Sequence, residues 1–229
     1  MKTFVLVVLL IVPVFAQSAA DREIAIGNAM WAQMDGRSKA MDDGAVVLLV
    51  NRIVERLSRG VVLRHPLRLK LVESAEESAL ALPGGILVFT SAAIARADSE
   101  AELAAEVAHQ IAHFQEPLDL QPPTIIRPCV HDSTNILPSS ILERAADREN
   151  HADLLAAGYL ANAGYEPQAL LTLYDRTQQR FAPNSEVRRM VSERSMAMTD
   201  AVLDTHEFQQ IKTQLTAAKP VRRTPTLYR

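Results

Sequence analysis

Two histidines, His109 and His113, are four residues apart in the segment Ala108 to His113. On a helix this spacing separates them by about 40° around the axis, so both imidazoles can face one metal ion. In the zinc-protease motif HExxH, the residue after the first histidine is a glutamate that takes a proton from metal-bound water. Gln110 occupies that position here, and a carboxamide cannot accept the proton. The spacing therefore predicts a metal site that lacks its usual general base.

A third ligand is needed, because a catalytic zinc has three protein ligands and one open position. Two copies of the pattern ExxAD follow further along the chain, one starting at Glu143 and one at Glu149. Six residues correspond to about 240° of helix rotation, so the two glutamates face different directions. Glu143 is also the acid of a capping box with Ser140. The pattern favours Glu149 as the ligand and leaves Glu143 as the alternative.

Another acid, Glu106, is three residues before His109 and about 60° from it on the same helix face. It could replace the missing base or add a ligand. The ordinary state of such a residue is a solvated or salt-paired acid.

The elements that must position these residues are mostly helices, with a small sheet. Apolar periodicity and capping signals predict helices over Asp21 to Met34, Asp43 to Ser58, Ser99 to Gln115, Ser140 to Gly164, and Pro167 to Arg180, with amphipathic segments from Ser185 to Ala218. Strand-like runs are Leu67 to Val72 and Ile86 to Thr90, and Pro117 to Pro138 is typical of a loop. The fold class expected is α+β.

The chain begins with an apolar run, Phe4 to Phe15, which is followed by small residues. We interpret residues 1–20 as a secretory signal peptide cleaved after Ala16 or Ala20, which would place the protein in the periplasm or outside the cell. An uncleaved leader would instead associate with a membrane. A single domain is expected over 21–218, and the basic residues 219–229 are expected to be disordered.

Charge gives no indication of nucleic-acid binding. The net charge is −3, and acidic and basic residues are interspersed along the chain. A nucleic-acid interface is typically marked by a basic patch or stripe.

With these motifs, the chain resembles the gluzincin zinc metallopeptidases, which include the CAAX prenyl endopeptidase, the mitochondrial Oma protease and bacterial periplasmic assembly proteases. The resemblance also covers Glu23 to Gly27, Ser78 to Gly85, Glu102 to His109, and Ala163 to Pro167. It implies a zincin-like domain in which the edge strand of a small sheet flanks the histidine-bearing helix.

The same resemblance implies one Zn²⁺ per chain, bound by His109, His113 and Glu149. It implies that Asp153 orients His109 from behind. The arginine that the family carries near its C-terminal proline corresponds to Arg188, whereas Ala182 stands where the family usually has a histidine.

The sequence of Ile86 to Thr90 fits an ordinary core strand equally well, but the resemblance identifies this segment as the edge strand beside the cleft. An extended peptide or unfolded protein segment would then bind along Gly85, Ile86, Leu87 and Val88 by main-chain hydrogen bonds.

Three functions follow as hypotheses. The first is a zinc-binding pseudoprotease that has lost its base at Gln110. The second is an active zinc metalloendopeptidase that acts on misfolded or envelope proteins and uses Glu106 or another group as its base. The third is an interaction protein that binds no metal.

Overall fold

The computed structural model describes residues 18–35, 38–115, 139–177 and 182–217. The expected leader, the loop 117–138 and the basic tail 219–229 lie outside the described residues, and so does the side chain of Glu143. Within the described ranges, no helix is long and apolar enough to cross a membrane.

The described part of the chain is a mostly helical α+β structure, as expected. Its helices are α1 (Ala19–Asp35), α2 (Gly44–Ser58), α3 (Ser91–Arg96), α4 (Glu100–Ala112), α5 (Ser139–Asn162), α6 (Gln168–Thr177), α7 (Ser185–Met196) and α8 (His206–Ala217). Its strands are β1 (Lys39–Ala40), β2 (Arg68–Glu73), β3 (Ala79–Leu82) and β4 (Ile86–Thr90). A 3₁₀ turn, His113–Gln115, follows α4 directly.

Local signals fix several helix ends. The Ser99 side chain accepts from the Glu102 backbone N–H and caps α4, as the sequence predicts. The carboxylate of Glu102 accepts from the backbone N–H of Asp98 at 3.0 Å, one residue before the reciprocal partner of a regular capping box. Gly164 ends α5 with a φ of 75°, which only glycine adopts without strain.

The sheet has the order β1-β2-β4-β3, with β2 and β4 parallel and the other neighbours antiparallel. The expectation that Ile86–Thr90 is an edge strand is therefore wrong, because β4 is paired on both sides. The outer strands are β1 and β3, and β3 (Ala79–Leu82), which pairs with β4, also contacts α4. Its sequence ALAL contains no β-branched residue, so propensity gave no signal for it, and pairing with β4 decides its conformation.

A tight loop joins β3 to β4 and supports α1. Gly84 and Gly85 have φ values of 72° and 85°. A Cβ on Gly84 would lie 2.7 Å from the Ile24 Cα, and one on Gly27 would lie 1.8 Å from the carbonyl oxygen of Pro83. Helix α1 thus packs on this loop at a distance that only glycine permits.

Strand β4 is buried on both faces, which explains its unbroken apolar run. Leu87 and Phe89 belong to the larger core, together with residues of α2, α4, α5 and α6. Ile86 and Val88 face a smaller cluster that Met34 of α1 completes.

Helix α4 lies at the centre of the larger core, and all thirteen of its residues are buried. It packs against α2, α5, α6 and β3. Five of its residues are alanines, and such small side chains permit a short interaxial distance. The close packing of α5 on α4 brings the second motif opposite the histidines.

Candidate metal centre

The two histidines lie at the C-terminal end of α4. His109 is in its last turn, and His113 is the first residue of the following 3₁₀ turn. Their Nε2 atoms are 3.0 Å apart, and the rings are nearly perpendicular, with centroids separated by 4.6 Å. The helical spacing therefore directs both imidazoles to one point.

Glu149, on α5, completes a group of three donors. Its Oε2 atom is 3.2 Å from Nε2 of His109 and 3.8 Å from Nε2 of His113. All candidate ligand atoms of the group lie within 4.8 Å of one another. Ligands about 2.0–2.1 Å from a tetrahedral zinc are roughly 3.3 Å apart, so this arrangement fits such an ion.

A second layer lies behind His109. Asp153 is one helical turn after Glu149 and is 1% exposed. Its Oδ1 atom is 2.8 Å from Nδ1 of His109 and accepts a hydrogen bond from the Tyr174 hydroxyl at 3.0 Å. A proton on Nδ1 of His109 leaves the Nε2 lone pair free for a metal ion.

The protonation states also favour metal binding. Burial, together with the neighbouring His109, lowers the pKa of His113 to about 4, so this imidazole is neutral at pH 7. Burial alone would raise the pKa of Glu149, but the hydrogen bond with His109 and nearby positive charge outweigh burial, so this pKa lies below its usual range. Neutral imidazole and ionised carboxylate are the forms that bind metal.

Gln110, at the position of the missing base, is 2% exposed. Its Nε2 atom is 3.5 Å from Oε1 of Glu106, at the outer limit of a hydrogen bond. The other carboxylate oxygen of Glu106 pairs with Arg96 at 3.1 Å. Glu106 is therefore a buried, salt-paired acid, the ordinary state for such a residue.

Arg188, which matches the family's arginine, does not contact the candidate ligands in any described hydrogen bond or ion pair. Arg188 is exposed at the start of α7, where its guanidinium contacts Asp175 at 3.6 Å and the carbonyl oxygen of Pro183 at 3.2 Å. Its catalytic role stays a prediction.

The main chain of Gly85 to Val88 belongs to the interior strand β4 and the loop before it, so a peptide cannot add to β4 as expected.

Sequence reasoning did not identify Tyr174 and Arg96. Tyr174 lies on the buried face of α6, twenty-one residues after Asp153. The only available signal was general, since a buried phenol usually needs a hydrogen-bond partner. Arg96 ends the short helix α3, which the sequence did not predict.

Comparison with known proteins supports a distant relationship. No family model matches the chain. Among the proteins that it resembles is the beta-barrel assembly-enhancing protease of Yersinia pestis, with 30% identity over 102 residues. The aligned residues are 44% of this chain and 21% of the relative, so the chain matches only about a fifth of the length of that protein. The chain thus has partial, distant homology to a protease, and its fold is consistent with a zincin-like domain.

Proposed function

We propose that this chain is a domain of the zinc metallopeptidase type that binds one Zn²⁺ through His109, His113 and Glu149 and has impaired proteolytic activity. The observation that carries the proposal is the convergence of these three donors from two helices, with Asp153 behind His109. Two imidazoles and one carboxylate form a typical donor set of catalytic zinc sites. When bound, the ion would polarise a carbonyl group and lower the pKa of water.

Impaired catalysis follows from the chemistry at residue 110. The Gln110 side chain can donate and accept hydrogen bonds, but it cannot take a proton from water near neutral pH. Loss of a general base typically reduces the rate by about 10²–10⁴. That factor corresponds to about 3–5 kcal/mol of additional barrier.

A working peptidase that uses Glu106 is the second candidate, because Glu106 is buried beside Gln110. Its pairing with Arg96 occupies one carboxylate oxygen, and Gln110 lies beside the other, so neither oxygen is open to a water near His109. In this alternative, wild-type cleavage would disappear with a chelator and with Glu106→Gln. Activity that survives Glu106→Gln would remove this residue from the mechanism.

We further propose an extended peptide or unfolded protein segment as the partner. The outer strand Ala79–Leu82 next to α4 supports this, because an edge strand can pair with an added peptide by main-chain hydrogen bonds. Export to the periplasm or out of the cell, and membrane association through an uncleaved leader, remain proposals from the sequence of residues 1–20.

Zinc analysis and proteolysis test the main proposal. Purified protein should contain one zinc per chain, and it should not measurably cleave unfolded casein. Because Glu106 lies beside residue 110, Gln110→Glu should be assayed alone and together with Glu106→Gln, which removes repulsion between two carboxylates. At least one of these variants should gain chelator-sensitive cleavage.

The matched control is Gln115→Glu, the same chemical change outside the group of donors, which should stay inactive. A protein that binds no zinc at micromolar concentration would contradict the proposal and favour a metal-free interaction protein. In that case His109→Ala would leave the zinc content unchanged and would lower the melting temperature only through the lost contact with Asp153. Strong casein cleavage by the wild-type protein would instead show that Gln110 does not impair catalysis.

A further inference from the structure

Tyr174 connects a third helix to the metal centre. It is buried on α6, and its hydroxyl donates to Oδ1 of Asp153 at 3.0 Å. The same oxygen atom is 2.8 Å from Nδ1 of His109. One carboxylate oxygen on α5 thus joins a phenol on α6 to a candidate ligand on α4.

We propose that Tyr174 is a positioning residue of the metal centre. Its hydroxyl fixes the carboxylate of Asp153 and, through it, the ring orientation and tautomer of His109. The proposal rests on the proposed zinc binding, and it assigns α6 a part in that site.

Asp153 is the residue that Tyr174 restrains. A carboxylate that is 1% exposed requires hydrogen-bond donors, because burial without them is costly. Rotation about the last side-chain bond of aspartate is broad, so one contact with His109 leaves the carboxylate plane loosely defined. A second donor from a different helix restrains the same oxygen from another direction.

The ring of Tyr174 adds a direct contact with His109. The two ring centroids are 6.4 Å apart, and the planes meet at 74°, an edge-to-face arrangement. The aromatic ring therefore packs against the imidazole while its hydroxyl holds the acid that orients it. Partners behind a metal-bound histidine typically change metal affinity by about 10–100-fold when removed.

A second buried phenol provides a matched control. The Tyr165 hydroxyl donates to Oε1 of Glu100 at 2.9 Å, at the opposite end of α4. Tyr165→Phe and Tyr174→Phe each remove one oxygen atom and one buried hydrogen bond to a carboxylate. The two variants should lose similar stability, but only one of them alters the metal centre.

The test measures zinc affinity by competition with a chromophoric chelator, together with the visible absorption bands of the Co²⁺-substituted protein. We expect Tyr174→Phe to weaken zinc binding about tenfold and to shift the Co²⁺ bands. Tyr165→Phe should keep wild-type affinity and wild-type bands. Urea unfolding of both metal-free variants shows whether their folding differs.

The outcomes separate this inference from the proposed function. A wild-type protein that binds neither Zn²⁺ nor Co²⁺ would overturn both. Wild-type binding with unchanged affinity and bands in Tyr174→Phe would overturn only the role of Tyr174. Tighter binding would also overturn it, because the hydroxyl would then act by withdrawing charge from Asp153. Equal effects of both variants would show a general loss of stability.

NMR of the unsubstituted protein gives a test that does not depend on a variant. The Tyr174 hydroxyl proton and the His109 Nδ1 proton should show a cross-peak, because both point at Oδ1 of Asp153 in hydrogen bonds. A hydroxyl proton that exchanges rapidly with water and shows no cross-peak would overturn the proposal.

Discussion

The two ends of helix α4 bury polar groups in opposite ways. At the N-terminal end, buried acids meet hydrogen-bond donors from other elements. Glu100 accepts from the hydroxyls of Tyr165 and Thr205, and Glu102 accepts from Arg176. Each of these contacts pairs an acceptor with a donor. The buried carboxylates at this end therefore have partners within the protein, and the contacts join α4 to other elements.

At the C-terminal end, acceptors face acceptors. Nε2 of His109 lies 3.0 Å from Nε2 of His113 and 3.2 Å from Oε2 of Glu149, and all three atoms carry lone pairs in their metal-binding forms. One proton can form a hydrogen bond between only two of these three atoms, whereas one metal cation can bind all three lone pairs. Burial of polar groups alone therefore does not indicate a metal site, whereas the convergence of several ligand atoms with lone pairs does.

Among changes at the two ends of α4, removal of a candidate ligand should have the largest effect on zinc binding. We expect His109→Ala to weaken zinc binding by more than the roughly 10–100-fold typical of partners outside the coordination sphere. Equilibrium dialysis with elemental analysis measures the change. Glu100→Gln alters the other end of α4 and should keep one zinc per chain. Wild-type zinc affinity in His109→Ala would refute the assignment of this end as the metal centre.

Acid should destabilise the metal-free protein through the C-terminal end. The pKa of His113 is lowered from 6.5 to about 4. Between these values the unfolded state binds a proton that the folded state does not, so stability falls as pH decreases and is unaffected by this group above pH 6.5. The loss is up to about 3 kcal/mol.

Urea unfolding in the presence of a chelator at several pH values checks this effect. His113→Gln should reduce the slope between pH 6.5 and 4. An equal slope in the variant and the wild-type protein would assign the pH dependence to other groups.

Asp153→Asn tests the residue behind His109, because this change leaves all three candidate ligands in place. An amide N–H directed at Nδ1 of His109 would favour the tautomer with its proton on Nε2, which cannot bind metal. We expect about 10–100-fold weaker zinc binding. Asp147→Asn, the corresponding change at the exposed last residue of the first ExxAD copy, is the control and should leave the affinity unchanged. A similar loss in both variants would point to net charge.

The smallest effect is expected at the N-terminal end. The Thr205 hydroxyl donates to Glu100 and accepts from the backbone N–H of Phe208 at the start of α8. Thr205→Val keeps the shape and removes both contacts, at a cost of about 1–2 kcal/mol in unfolding free energy. Zinc affinity should not change. A reduced affinity would mean that the two ends of α4 are coupled.

Much of the site could be predicted from local sequence. The histidine spacing places both rings on one helix face whatever surrounds the helix, since backbone geometry fixes the rotation per residue. Ser99 and Gly164 mark helix ends for equally local reasons. The capping box at Glu143 favoured Glu149 as the ligand, the resemblance to a protein family supported the same choice, and the structure places Glu149 within reach of both histidines.

The sheet shows where local sequence gave no answer. Strand β4 is strongly apolar, but this composition fits an interior strand as well as an edge strand beside a cleft. Strand order depends on which segments pair across the sheet, and the weakly β-prone segment Ala79–Leu82 takes the outer position by pairing with β4. Pairing between segments is not encoded in the periodicity of either one.

Local sequence is enough to show that His109 and His113 share a helix face and that Gln110, directly after His109, cannot act as a base. The contacts between elements around this site, such as Tyr174 with Asp153 and Arg96 with Glu106, depend on the packing of the whole fold. The reason is the sequence separation between the residues that are in contact. Helix geometry relates residues one turn apart, whereas contacts between helices depend on how whole faces pack, which no local spacing specifies.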